Sequence, residues 1–139
     1  MQNASTLQFL LTLAKGIASQ FGPNCEVVVH DLATNDPERS IVAIENGHVT
    51  GRKVGDGPSH VVLEALRGNP EQLHDHLSYL TRTKDGKILK STTIYIRDDD
   101  GAPIGIFGIN YDITLMLAME NAIKQFTATE KDEKEPEPI

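Results

Sequence analysis

Apolar residues recur at helical spacing along the first twenty positions. Leu7, Leu10, Leu11, Ala14, Ile17, Ala18 and Phe21 share one face, and Phe9 and Leu13 widen it. Ser5 with Gln8 predicts a capping box, and Gly22-Pro23 the stop. The pattern then changes. CEVVVHDL (25–32) is rich in β-branched residues and predicts a strand. The polar run ATNDPERS, with Asn35-Asp36-Pro37, predicts a turn, and IVAIE (41–45) a second strand closing a hairpin, ended by Asn46-Gly47.

A glycine-rich stretch follows. Asp56-Gly57-Pro58 predicts a helix start with Pro in the first turn, and Ser59 to Arg67 the helix, ended by Gly68. Three strands come next: HLSYLTRT (76–83), ILKSTTIYIRD (88–98) and PIGIFGINYD (103–112). The turns Lys84-Asp85-Gly86-Lys87 and Asp99-Asp100-Gly101 make them an antiparallel meander. Gly105 and Gly108 mark close packing against the last strand. Asp112 and Thr114 are N-cap candidates for a closing helix with Leu115, Met119, Ile123 and Phe126 on one face. After Thr129, EKDEKEPEPI reads as a disordered end or linker. A sheet of this kind is expected to bury one face, with the helical crossing covering it and enclosing a small cavity.

Length and charge narrow the function. With 139 residues the chain suits one domain. Its 13 basic and 20 acidic residues give a net charge of −7, and no basic cluster remains when the acidic tail is set aside. Direct nucleic-acid binding by these residues is therefore disfavoured. A single cysteine excludes an internal disulfide framework, and a cytoplasmic location is the default expectation. No apolar run approaches a membrane span, and the N-terminus lacks the basic region of a signal peptide.

The order helix, two strands, helical crossing, three strands, helix is that of a PAS domain. CEVVVHDL, NGHVTGRKVG, ILKSTTIYIRD and GIFGINYD together resemble the YheO-like PAS domain of bacterial transcriptional regulators, over roughly Phe21 to Asp112. The resemblance implies an α+β fold: a PAS-like five-stranded antiparallel sheet with short covering helices and flanking N- and C-terminal helices. It assigns residues 1–128 to the sensor and 129–139 to a linker. It also implies small-molecule sensing and a helix-turn-helix DNA-binding domain following the sensor. That second domain is absent from these 139 residues, and a chain cut at the linker is the expectation.

The glycine stretch resembles a phosphate loop only superficially. Three residues separate Gly47 from Gly51, and Val54 stands where the metal-binding hydroxyl belongs. Its glycines serve tight turns in one reading. In the other, Gly51-Arg52 lies at a pocket mouth, where the resemblance favours Arg52 forking a ligand carboxylate. Alternation puts Ser91, Thr93 and Tyr95 on one strand face, as cavity hydroxyls or as ordinary strand residues. Asn110 or Tyr111 adds a polar group from the last strand, which needs partners if buried. The candidate ligand-binding residues are Arg52, Tyr79, Ser91, Thr93 and Asn110.

Catalysis and metal binding find less support. His74-Asp75-His76 lacks the third and fourth ligands of a zinc site, and His48 and His60 are isolated. Cys25 and His30 have odd separation on one strand and face opposite sides, against a nucleophile–base pair. Cys25 then reads as a small buried hydrophobe. Few aromatics are present to stack a large cofactor, and none is expected. The terminal helices each carry an apolar stripe that a small sheet covers only in part, so a homodimer through them is expected. Three functions follow: a sensor for a small polar metabolite such as an amino acid or related carboxylate, a ligand-free dimerisation module, or a small-metabolite enzyme.

Overall fold

The computed structural model describes residues 4–33 and 36–139. Helix α1 (Ala4–Phe21) leads into β1 (Cys25–Asp31) and β2 (Ile41–Glu45). A single helical turn (Gly47–Val49) and the short helix α2 (His60–Leu66) cross the sheet. The meander β3 (His76–Arg82), β4 (Ile88–Arg97) and β5 (Pro103–Asp112) follows, and α3 (Thr114–Thr127) closes the order. The five strands form one antiparallel sheet in the order β2-β1-β5-β4-β3. The predicted α+β architecture is the observed one.

Local details differ from expectation for identifiable reasons. Ser5 lies inside α1 rather than capping it, and the Gln8 amide reaches forward to the Thr12 hydroxyl at 3.5 Å. Ser59, expected inside α2, caps it instead, its hydroxyl accepting from the Val62 N–H, and Pro58 precedes the helix. Asp56 accepts from the Lys53 N–H at 2.9 Å, so it closes the preceding turn. The turn predicted at Asn35-Asp36-Pro37 lies partly outside the described residues. Its visible part is a single helical turn (Pro37–Arg39) capped by Asp36.

The sheet is covered on both faces, not one. Leu10, Ala14 and Ala18 of α1 pack on Cys25, Val27, Val29 and Phe107. The crossing covers the opposite face, where Val62, Leu73, Tyr95 and Ile106 cluster. Every residue of β1 from Cys25 to His30 is buried as a result. The unbroken apolar run Val27-Val28-Val29 carried that signal, because a strand with one wet face alternates. Where α1 shelters one side, α3 shelters nothing: none of its residues is buried, and Phe126 is 91% exposed. Its start is held by Asp112, whose carboxylate accepts from the Thr114 N–H at 3.0 Å. Residues 128–139 form no helix or strand.

Candidate functional site

The register aligns a polar row across four strands. Glu26 of β1 faces Asn110 of β5, Asn110 faces Ser91 of β4, and Ser91 faces Tyr79 of β3. Paired residues share a sheet face, so all four side chains lie under the crossing. Tyr79 reaches that face through a bulge. The register shifts between His76 and Tyr79, with Ser78 at a φ of 51° and its N–H bonded to Thr92 Oγ1. His76 and Tyr79 then face the same way and stack with centroids 3.6 Å apart.

Glu26 is the centre of this row. It is fully buried, yet its carboxylate is saturated with donors. Arg52 Nη2 and Asn110 Nδ2 donate to Oε1, each at 2.9 Å. The Thr50 N–H and hydroxyl donate to Oε2. Ser91 Oγ donates to Asn110 Oδ1 at 2.7 Å and meets Thr81 Oγ1 at 2.8 Å. Tyr79 and Thr93 pair through their hydroxyls at 2.7 Å. A buried carboxylate is tolerated only with such partners.

The glycine stretch places Arg52 against Glu26. The chain leaves β2 through Asn46, left-handed at φ 56°, whose amide ties back to the Gly22 and Cys25 carbonyls. A Cβ on Gly47 would stand 2.5 Å from the Arg52 carbonyl oxygen, so the loop closes only around glycine. Arg52 also donates from Nε to Thr50 Oγ1 and from Nη1 to the Gly57 carbonyl. Three guanidinium N–H groups are thus engaged, and the rest remain available where 22% of the side chain is exposed.

Between the sheet and the crossing lies a cavity of about 590 Å³. Of the candidate residues, Arg52, Tyr79, Thr93 and Asn110 line it. Ser91 belongs to the polar row but is sealed beneath it, 1% exposed. Asn110, not Tyr111, is the β5 polar group on this side; Tyr111 packs with α1. Val28, Val62, Leu89 and Ile106 form apolar wall, and Arg82, Lys84, Asp85 and Lys87 stand around it too. The fold therefore brings Arg52 and the basic residues of the β3–β4 turn to one cavity. Tyr79 and Thr93 also line a groove of about 860 Å³ between α2 and β3, so they form a shared wall.

Comparison with known proteins gives the family of the chain. The family model described as the YheO-like PAS domain matches residues 1–128. The chain belongs to that family. It is 38% identical to the uncharacterised protein YheO of Escherichia coli over 106 residues, 70% of this chain and 40% of that protein. It is 35% identical to an uncharacterised Haemophilus influenzae protein over 115 residues, 83% of this chain and 50% of the relative. It is 28% identical to the transcriptional regulator DauR of Pseudomonas aeruginosa over 134 residues, 96% of this chain and 60% of DauR. The chain spans about half the length of these curated relatives.

In this YheO-like PAS domain the Cys25–His30 pair is divided by the sheet. Cys25 lies in the α1 core, where burial, with a smaller contribution from Glu26, raises its thiol pKa. His30 lines the cavity on the other side. Asp75 of the His74-Asp75-His76 run accepts from the Tyr95 N–H at 2.9 Å, and no metal-binding cluster occurs among the described residues. No described helix is long and apolar enough to cross a membrane.

Sequence reasoning missed Glu26, Thr50 and Thr81, and weighed His30 only as a base for Cys25, not as a cavity residue. A signal for two of them was present. Glu26 and His30 interrupt a β-branched run at even spacing, and a charged or polar residue inside a buried strand demands a partner.

Proposed function

We propose that this domain is the ligand-sensing and dimerisation part of a bacterial transcriptional regulator. A small polar metabolite, an amino acid or a related carboxylate, binds between the sheet and the crossing. Its anionic group meets the unengaged N–H groups of Arg52. Occupancy shifts the population between two packings of the terminal helices, and the segment after Thr127 passes that shift to a DNA-binding domain.

The observation that carries this reading is the cavity itself. Its volume of about 590 Å³ falls within the usual range for small-molecule sites, and its walls combine apolar surface with polar and charged side chains that could hold a small polar molecule. An interior filled with apolar side chains would have favoured a purely structural module. Similarity to the regulator DauR supports the regulatory assignment, and the uncovered apolar face of α3 supports pairing of two copies.

Native mass spectrometry of the purified chain tests both parts together. The expected species is a dimer carrying the mass of a small retained molecule, or gaining one when amino acids and carboxylates are added. A monomer that binds neither class would overturn the reading.

A further inference from the structure

The inner wall of the cavity carries a polar atom that the protein leaves unused. His30 is 2% exposed. Its Nδ1 pairs with the buried Ser40 hydroxyl at 2.8 Å, the one hydrogen bond of the ring among the described residues. Every side-chain nitrogen or oxygen fully shut off from solvent among the described residues has a partner. His30 Nε2 has none among the described residues, so it keeps some access to solvent, which the cavity that His30 lines supplies. A buried ring held at one nitrogen, with the other turned to a cavity, is built to meet a ligand.

Charge limits what that ligand is. Arg52, Arg82, Lys84 and Lys87 line the cavity against one carboxylate, Asp85. Glu26 neutralises Arg52 from beneath, and Asp85 stands 3.8 Å from Lys87. Arg82 and Lys84 have no ion pair among the described residues, so the walls carry excess positive charge on a chain of net charge −7. Such a field favours an anion and disfavours an ammonium group inside. The Glu26 carboxylate, already holding four donors, has no place for one. The imidazole stays uncharged, because burial foremost and then nearby Arg52 depress its pKa to about 3.

We propose that His30 is a ligand-contacting, specificity-determining residue. Its Nε2 pairs with a neutral hydroxyl of a carboxylate whose anionic end lies toward Arg52. The site thereby takes a hydroxy acid in preference to the corresponding amino acid or unsubstituted acid. A hydroxyl both donates and accepts, so it suits either ring tautomer. This inference rests on the sensing role proposed above and narrows its ligand class.

The test is a titration with matched series of two to six carbons: ω-hydroxy acids from glycolate upward, the unsubstituted acids from acetate, and the ω-amino acids from glycine. Affinity is read by calorimetry and the His30 ring by nitrogen NMR of ¹⁵N-histidine protein. One hydroxy acid is expected to bind roughly fivefold or more tightly than its parent, as one added hydrogen bond predicts. Its addition should move the His30 Nε2 resonance. His30→Asn, whose amide can keep the Ser40 bond while lacking a group at the Nε2 position, should level the two affinities. His30→Gln, which restores a polar group there, should recover most of the preference. Equal binding of parent and hydroxy acids, or preference for the amino acids, overturns the role of His30 and leaves a carboxylate sensor standing. Binding of no acid in any series overturns both.

Discussion

Arg52 and Glu26 form an ion pair at 2.9 Å in which the carboxylate is fully buried and the guanidinium reaches the cavity. The two residues lie on different elements, one on β1 and one in the loop after β2. Removing one partner strands the other. Glu26→Ala is expected to lower the unfolding free energy by about 3–5 kcal/mol, and pairing Glu26→Gln with Arg52→Gln to cost less than Glu26→Ala alone. Urea denaturation of the two variants checks this. It also shows why Arg52→Ala is a poor probe of ligand binding: it would leave the Glu26 charge uncompensated.

His30 makes stability depend on pH in a defined direction. Its ordinary pKa of 6.5 is depressed to about 3 in the fold. Below pH 6.5 the unfolded chain takes up a proton that the folded chain refuses. Stability is therefore fully present above pH 6.5 and is lost as pH falls toward 3. Between pH 6.5 and 5 the loss from this residue is about 2 kcal/mol, before most carboxylates titrate. Denaturant midpoints measured across that interval should fall, and should fall less in His30→Gln.

Cys25 is 1% exposed, and its raised pKa keeps the thiol protonated at neutral pH. An aromatic disulfide reagent is expected to leave the native protein unmodified over minutes and to titrate one thiol at once in denaturant. Rapid reaction in the native state would place Cys25 outside the α1 core.

Three glycines separate steric need from local propensity. A Cβ at Gly57 would lie 2.5 Å from the Glu38 carbonyl oxygen, and one at Gly47 2.5 Å from that of Arg52. Nothing stands within 4 Å of a Cβ on Gly16, inside α1. Gly47→Ala and Gly57→Ala should each destabilise by about 1–3 kcal/mol. Gly16→Ala should stabilise by about 1 kcal/mol through helix propensity. Thermal melts of the three variants provide the comparison.

The face of α3 bearing Leu115, Met119, Ile123 and Phe126 is exposed along its length. Phe9 and Leu13 of α1 are uncovered as well. Ile123→Glu with Phe126→Glu is expected to convert a dimer to a monomer in sedimentation velocity while the far-ultraviolet spectrum keeps its strand signal. A wild-type monomer, or a dimer indifferent to both changes, would remove these helices from the assembly.

The chain's own pattern determined the elements and their order. The spacing of Leu7, Leu10, Ala14 and Ala18 specified α1, and the bounds of β2 and β5 were legible to the residue. Period and turn chemistry act over a few residues, so they can be read from neighbours alone. The opposite facing of Cys25 and His30 was equally legible, because alternation along a strand is local.

What faces a given strand is not local. The pairing that sets Glu26 beside Asn110, Ser91 and Tyr79 depends on register between strands up to 84 positions apart. Tyr79 joins that row only because a bulge breaks the alternation of β3, and Arg52 joins it only because glycine loops fold it beneath the crossing. Whether Arg52 awaited a ligand or already held a partner turned on Glu26, a residue 26 positions away. The tertiary structure decided these points because a buried charge is neutralised by whatever group the chain's long-range closure brings within hydrogen-bond reach.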